Sequence, residues 1–80
     1  MKLPRSLSAT ELIKALKIYH YSIERQKRSH IRLATTSNGE HHLTIPNPDP
    51  IKIGTLSSIL GEVANHFSKT KEEVIQELFG

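Results

Sequence analysis

The sequence predicts an α+β fold, a two-layer sandwich of order α-β-β-β-α(-α) with an antiparallel three-stranded sheet and helices on one side of it. Three observations carry this expectation. Before residue 21 apolar side chains recur at a spacing of about 3.6 residues. From Tyr21 to Ile45 they alternate with polar ones, and beyond a proline-rich break the helical spacing returns.

Ser8-Ala9-Thr10-Glu11 is a capping box. The Ser8 hydroxyl can take an orphan amide of the first turn, and Glu11 can reach back to the Ser8 amide; Leu7 and Leu12 hold the hydrophobic-staple positions. The helix that follows presents Leu12, Leu16 and Tyr19, with Ile13 beside them, and should stop near Tyr19-His20. In the first strand Tyr21 and Ile23 alternate with Ser22, Glu24 and Gln26. In the second, Ile31 and Leu33 alternate with His30, Arg32 and Ala34. After the turn signal Thr36-Ser37-Asn38-Gly39, His42 and Thr44 alternate with Leu43 and Ile45. Tight connections make these a meander. Its apolar face (Tyr21, Ile23, Ile31, Leu33, Leu43, Ile45) must be covered, and its other face, with Glu24, His30, Arg32, His42 and Thr44, can meet water.

Pro46-Asn47-Pro48-Asp49-Pro50 cannot extend a ladder, because each proline lacks an amide donor and restrains its neighbour. A second helix is expected from about Thr55, with Thr55 as its N-cap and Leu56, Ile59, Leu60, Val63, Ala64 and Phe67 as its stripe. Thr70-Lys71-Glu72-Glu73 is another capping box and starts a last helix with Val74, Ile75, Leu78 and Phe79. No repeat, linker or low-complexity tract interrupts the chain, so residues 1–80 read as a single domain.

Composition excludes several functions. A chain of 80 residues buries only about 60–65% of its unfolded surface, so the core must be small and efficient. No apolar run approaches the roughly 18–20 residues of a membrane span, and none follows Met1-Lys2 as a secretion signal would. The absence of cysteine removes disulfides and thiolate metal sites and fits a cytoplasmic setting. Four aromatic residues are too few for a base-stacking platform.

The net charge of +3 is unevenly placed. Residues 1–33 carry eight basic side chains against Glu11 and Glu24; residues 34–80 carry Lys52, Lys69 and Lys71 against six acids. A half this basic attracts polyanions. Its densest part, Arg25-Gln26-Lys27-Arg28-Ser29-His30-Ile31-Arg32, combines four cations with one histidine. Cleaving a phosphodiester requires a group that exchanges protons near neutral pH and fixed positive charge where the phosphorane gains negative charge. His30 is the candidate catalytic residue. Arg25, Lys27, Arg28, Ser29 and Arg32 are candidate substrate contacts, and RNA fits better than DNA because its 2′-hydroxyl is an internal nucleophile. A basic hairpin that holds phosphates without chemistry accounts for the same residues. Lys52-Ile53-Gly54-Thr55, ahead of the second helix, offers Lys52 and free amides as a further phosphate contact or simply a glycine-assisted helix start. His41 and His42 should point to opposite faces and cannot easily share a metal ion, whereas His42 has the same parity as His30 and could assist it. His20 and His66, near helix ends, read as surface residues or dipole partners.

In this layout the chain resembles the HicA/YcfA-like family, small toxins of type II toxin–antitoxin modules. The resemblance rests on Lys2-Leu3-Pro4-Arg5, Glu11-Leu12-Ile13-Lys14-Ala15-Leu16, Arg25-Gln26-Lys27 followed by Ser29-His30, Thr44-Ile45-Pro46, Gly54-Thr55-Leu56 and Ile59-Leu60, in that order. It implies a double-stranded-RNA-binding-like fold and metal-independent cleavage of mRNA, with no metal, small-molecule cofactor or membrane involved. It also implies neutralisation by a cognate HicB-type antitoxin protein, and a catalytic role for the histidine of the Ser-His pair, here His30. Three positions depart from the family's pattern. Arg28 replaces a glycine before Ser-His, His20 replaces a glycine after the first helix, and Pro48 stands where many relatives have a histidine. The alternative is an inactivated toxin that binds RNA or antitoxin without turnover.

Overall fold

A computed structural model describes residues 3–46 and 50–80. Its elements are α1 (Ala9–Leu16), which tightens into a 3-10 turn at Lys17–Tyr19, then β1 (Ser22–Lys27), β2 (His30–Thr35), β3 (His41–Pro46), α2 (Ile53–His66) and α3 (Lys71–Phe79). The strands lie in the order β1-β2-β3 and both pairings are antiparallel. This is the expected α+β meander with helices on one side. Pro48, one of the three departures, lies outside the described residues.

Both capping boxes form as the sequence dictates: Ser8 and Glu11 exchange side-chain-to-backbone bonds of 3.0 and 3.1 Å, and Thr70 and Glu73 bonds of 2.9 and 3.1 Å. The first helix ends at His20, which adopts the left-handed conformation at φ 66° that the family's glycine would take without steric cost. The α2 boundary differs from expectation. The helix starts at Ile53 with Lys52 as N-cap and no side-chain cap, so Gly54 and Thr55 fall inside the first turn. An extended Lys52 backbone (φ −63°, ψ 141°) suffices to launch the helix, and the threonine hydroxyl is not needed.

The core joins Leu12 and Leu16 of α1 to Leu33, Leu43 and Ile45 of the sheet and to Leu56, Leu60, Val63 and Val74 of α2 and α3; all are at most 2% exposed. Among the described residues one polar side chain, Thr35, is buried with them. Thr35 donates its hydroxyl to the Tyr19 carbonyl at 2.9 Å and accepts from the Ser37 amide, pinning the end of β2 to the end of the first helix. Lys69 pairs with Glu77 across the α2–α3 corner, and the Tyr19 hydroxyl also hydrogen-bonds Glu77.

The register of β1 contains the departure that matters most. Ile23 opposes Leu33 and Arg25 opposes Arg32, so Glu24 is an extra residue with no partner on β2. Such a β-bulge inverts the parity of everything after it. Gln26, expected on the open face, instead opposes Ile31 and shares its helix-facing side. Arg25 and Lys27 move to the open face, opposite Arg32 and His30. Ile23 keeps the expected side but is 52% exposed, since β1 lies at the sheet edge beyond the full cover of α1.

Candidate active site

Directly opposed residues in antiparallel strands project from the same face, so the register defines three rows across the open side. The first is Lys27, His30 and Pro46; the second is Arg25, Arg32 and Thr44; the third is Ser22, Ala34 and His42. Successive rows are two residues apart, about 7 Å along a strand. The first two rows and the hairpin turn enclose a shallow cleft of about 660 Å³ lined by Arg25, Lys27, Arg28, His30, Arg32 and Thr44. Among the described residues the lining contains four cations, one imidazole and no carboxylate. It also contains no aromatic ring, so bases have nothing to stack on.

The hairpin that presents His30 is a two-residue connection through Arg28 and Ser29. Arg28 has φ 55°, a conformation that two-residue hairpins usually assign to glycine, asparagine or aspartate. This costs on the order of 1 kcal/mol relative to glycine and places a guanidinium on the rim of the cleft. Ser29 is exposed at the turn beside His30 but is not among the lining residues.

A carboxylate stands at the far edge. Glu24, on the open face as alternation expects, accepts from Arg32 Nε at 3.0 Å and lies 3.4 Å from His42 Nδ1. His42 Nε2 is 2.7 Å from Glu40. His42 thus belongs to a Glu24–His42–Glu40 cluster two rows from His30, roughly 13 Å along the strand. The shared parity of the two histidines was legible in sequence, but the register separates them, and His42 cannot assist at His30.

Lys52 also lies elsewhere. It lines a separate surface hollow with Arg5, Ser6, Pro50, Ile51 and Ile53, and is not part of the cleft around His30.

The covered face carries a cluster that sequence reasoning missed. His41 and His66 stack at 4.5 Å between ring centres with an interplanar angle of 12°. His66 Nε2 lies 2.9 and 3.0 Å from the carbonyls of Ser37 and Gly39, so this nitrogen carries the proton and donates to them. His41 Nδ1 is 2.7 Å from the Tyr21 hydroxyl, whose pKa burial pushes up to about 12. Desolvation by burial, followed by the charge of His66, lowers the pKa of His41. These imidazoles pin the β2–β3 loop to the end of α2. No periodicity announced that contact, because it joins residues 25 positions apart. His41 and His42 do point to opposite faces as expected. Among the described residues no three or more His, Cys, Asp or Glu side chains are grouped to hold a metal ion, and no helix is long and apolar enough to cross a membrane.

Comparison with known proteins agrees with this layout. Searches among curated proteins and among solved structures give no match. The family described as the HicA toxin of bacterial toxin–antitoxin matches residues 9–64, from the first residue of α1 to within two residues of the end of α2, and includes the whole sheet. The chain therefore belongs to the HicA toxin family of bacterial toxin–antitoxin systems, and an antitoxin partner follows from that membership.

Proposed function

We propose that this toxin is an endoribonuclease that cleaves mRNA without a metal ion, using His30 to move the proton. The observation that carries the reading is an exposed imidazole in a cleft whose charged lining, among the described residues, is otherwise all cationic: Arg25, Lys27, Arg28 and Arg32. With RNA across the open face, the His30 imidazole accepts the proton of a ribose 2′-hydroxyl. The 2′-oxygen bonds to the adjacent phosphorus and the bond from phosphorus to the 5′-oxygen breaks. The departing oxygen takes a proton from water, the hydroxide so formed recovers the proton held by His30, and the products are a 2′,3′-cyclic phosphate and a 5′-hydroxyl. The guanidiniums stabilise the added negative charge of the phosphorane, where fixed donors have their largest effect. Ser29 orients the phosphate or the imidazole from the turn. Lys52, outside the cleft, contacts phosphates further along the strand.

Inhibition falls to a separate HicB-type antitoxin that sets acidic and apolar groups over the basic face and blocks phosphate access. A second reading is a binding module of the same fold that holds RNA or antitoxin without turnover, favoured by the left-handed Arg28 in place of glycine.

Replacing His30 by alanine separates the two. Because His30 is exposed, the variant should keep the wild-type melting temperature while RNA cleavage falls by about 100-fold or more. Cleavage at the wild-type rate in that variant would refute the assignment.

A further inference from the structure

We propose that the groove between α1 and β1, on the opposite side of the sheet from the basic cleft, is a docking surface for an acidic segment of the antitoxin that carries an apolar anchor. The proposal rests on family membership for the existence of an antitoxin, but not on His30 chemistry. The groove encloses about 480 Å³ and is lined by Ile13, Lys14 and Lys17 of the first helical segment and by Tyr21, Ile23 and Ile31 of the sheet, among others.

Three features show that this is more than an imperfectly closed edge. Ile23 opposes Leu33, which is 0% exposed, yet remains 52% exposed itself, so one helix-facing apolar position of the sheet is left uncovered. All six residues of β1 are exposed, and β1 pairs on one side only. Lys14 and Lys17 stand exposed on the helix wall above this apolar floor. An apolar floor beneath a basic wall is complementary to an apolar side chain flanked by aspartates or glutamates.

The charge pattern also selects the occupant. A second copy of the chain would bring Lys14, Lys17, Arg25 and Lys27 against the same residues, and like charges held face to face oppose association. An acidic partner meets no such barrier. A segment lying along β1 also reaches both sides of the sheet, because Ile23 faces the groove while Arg25 and Lys27 face the cleft. One antitoxin chain can thus anchor in the groove and cover the cationic rows.

The test uses the full-length toxin and the protein encoded by the adjacent reading frame, with binding measured by calorimetry. Ile23→Asp and the double change Lys14→Glu/Lys17→Glu should each weaken binding at least tenfold and abolish neutralisation of toxicity. Melting temperature and RNA cleavage by the free toxin should stay at wild-type values, since none of these residues lines the basic cleft. Unchanged affinity in the lysine variant, which alters only exposed positions, would overturn the proposal even if Ile23→Asp proved unstable. It would also fall if the wild-type chain did not bind that protein, or if it dimerised through the groove. Loss of cleavage in His30→Ala bears on the catalytic reading alone and leaves this comparison intact.

Discussion

His30 and His41 lie on adjacent strands of one sheet and have opposite surroundings. His30 stands on the open face among Arg25, Lys27, Arg28 and Arg32, exposed to water. His41 lies on the covered face, stacked on His66 and hydrogen-bonded to the Tyr21 hydroxyl. The same side chain suits two tasks according to which side of the pleat it occupies. Where protein surrounds it, the ring fastens a loop to a helix; where cations and solvent surround it, the ring is open to a ligand. Substitutions on one face should therefore alter chemistry and leave stability alone, and those on the other should do the reverse.

The sharpest way to break this contrast on the open face, after His30 itself, is Arg32→Ala. Loss of one fixed cation beside the developing charge should lower the rate of RNA cleavage by about 100-fold, measured under single-turnover conditions, with the melting temperature unchanged. A large drop in stability instead would mean that Arg32 is a structural strut held by Glu24.

On the covered face His41→Ala removes the Tyr21 hydrogen bond and the stack. We expect a loss of about 1–2 kcal/mol in urea unfolding, with cleavage per folded molecule unaffected. Acid should act in the same place and direction. The folded pKa of His41 is depressed, so the unfolded chain binds the proton more readily. Stability should be full above the ordinary histidine range, decline as pH falls below it, and lose this contribution once pH passes the lowered folded value. His42 and His66 add positive charge near His41 and Glu62 opposes it. The decline should be shallower in His41→Ala, and identical acid profiles for the two proteins would contradict the assignment.

A smaller effect separates geometry from charge at the hairpin. Arg28→Gly relieves the positive-φ residue and should stabilise the fold by up to about 1 kcal/mol. It should also reduce RNA affinity and flatten its salt dependence by about one phosphate contact. The smallest effect is expected from Glu24→Gln. The Glu24–Arg32 pair is solvent-exposed, with side chains about two-fifths accessible, and such pairs are worth roughly 0–1 kcal/mol. Stability should hardly move, and RNA should bind slightly more tightly without the carboxylate at the cleft's edge.

The fold was legible because local signals agreed with one another. Two capping boxes, a change of period at Tyr21 and the Asn38-Gly39 turn each fixed an element, and each formed. At the candidate site the residue types were readable but their placement was not. Simple alternation puts Gln26 on the open face, whereas the bulge at Glu24 sends Arg25 and Lys27 there instead, and no side-chain pattern announces an unmatched residue. His42 was placed on the correct face but not at its distance from His30, since parity fixes a face and only the register fixes a distance. Lys52, near the proline-rich segment, had no sequence-local constraint tying it to the sheet, and it lies in a different hollow. The His41–His66 stack stayed invisible because it depends on the docking of α2 against β3.

The most direct test of the central claim is to incubate the purified chain with RNA in excess chelator and identify the new ends. We expect fragments ending in 2′,3′-cyclic phosphate and 5′-hydroxyl, and no cleavage at linkages whose ribose lacks the 2′-hydroxyl. Intact RNA beside measurable binding would contradict the claim and leave a binding module in its place.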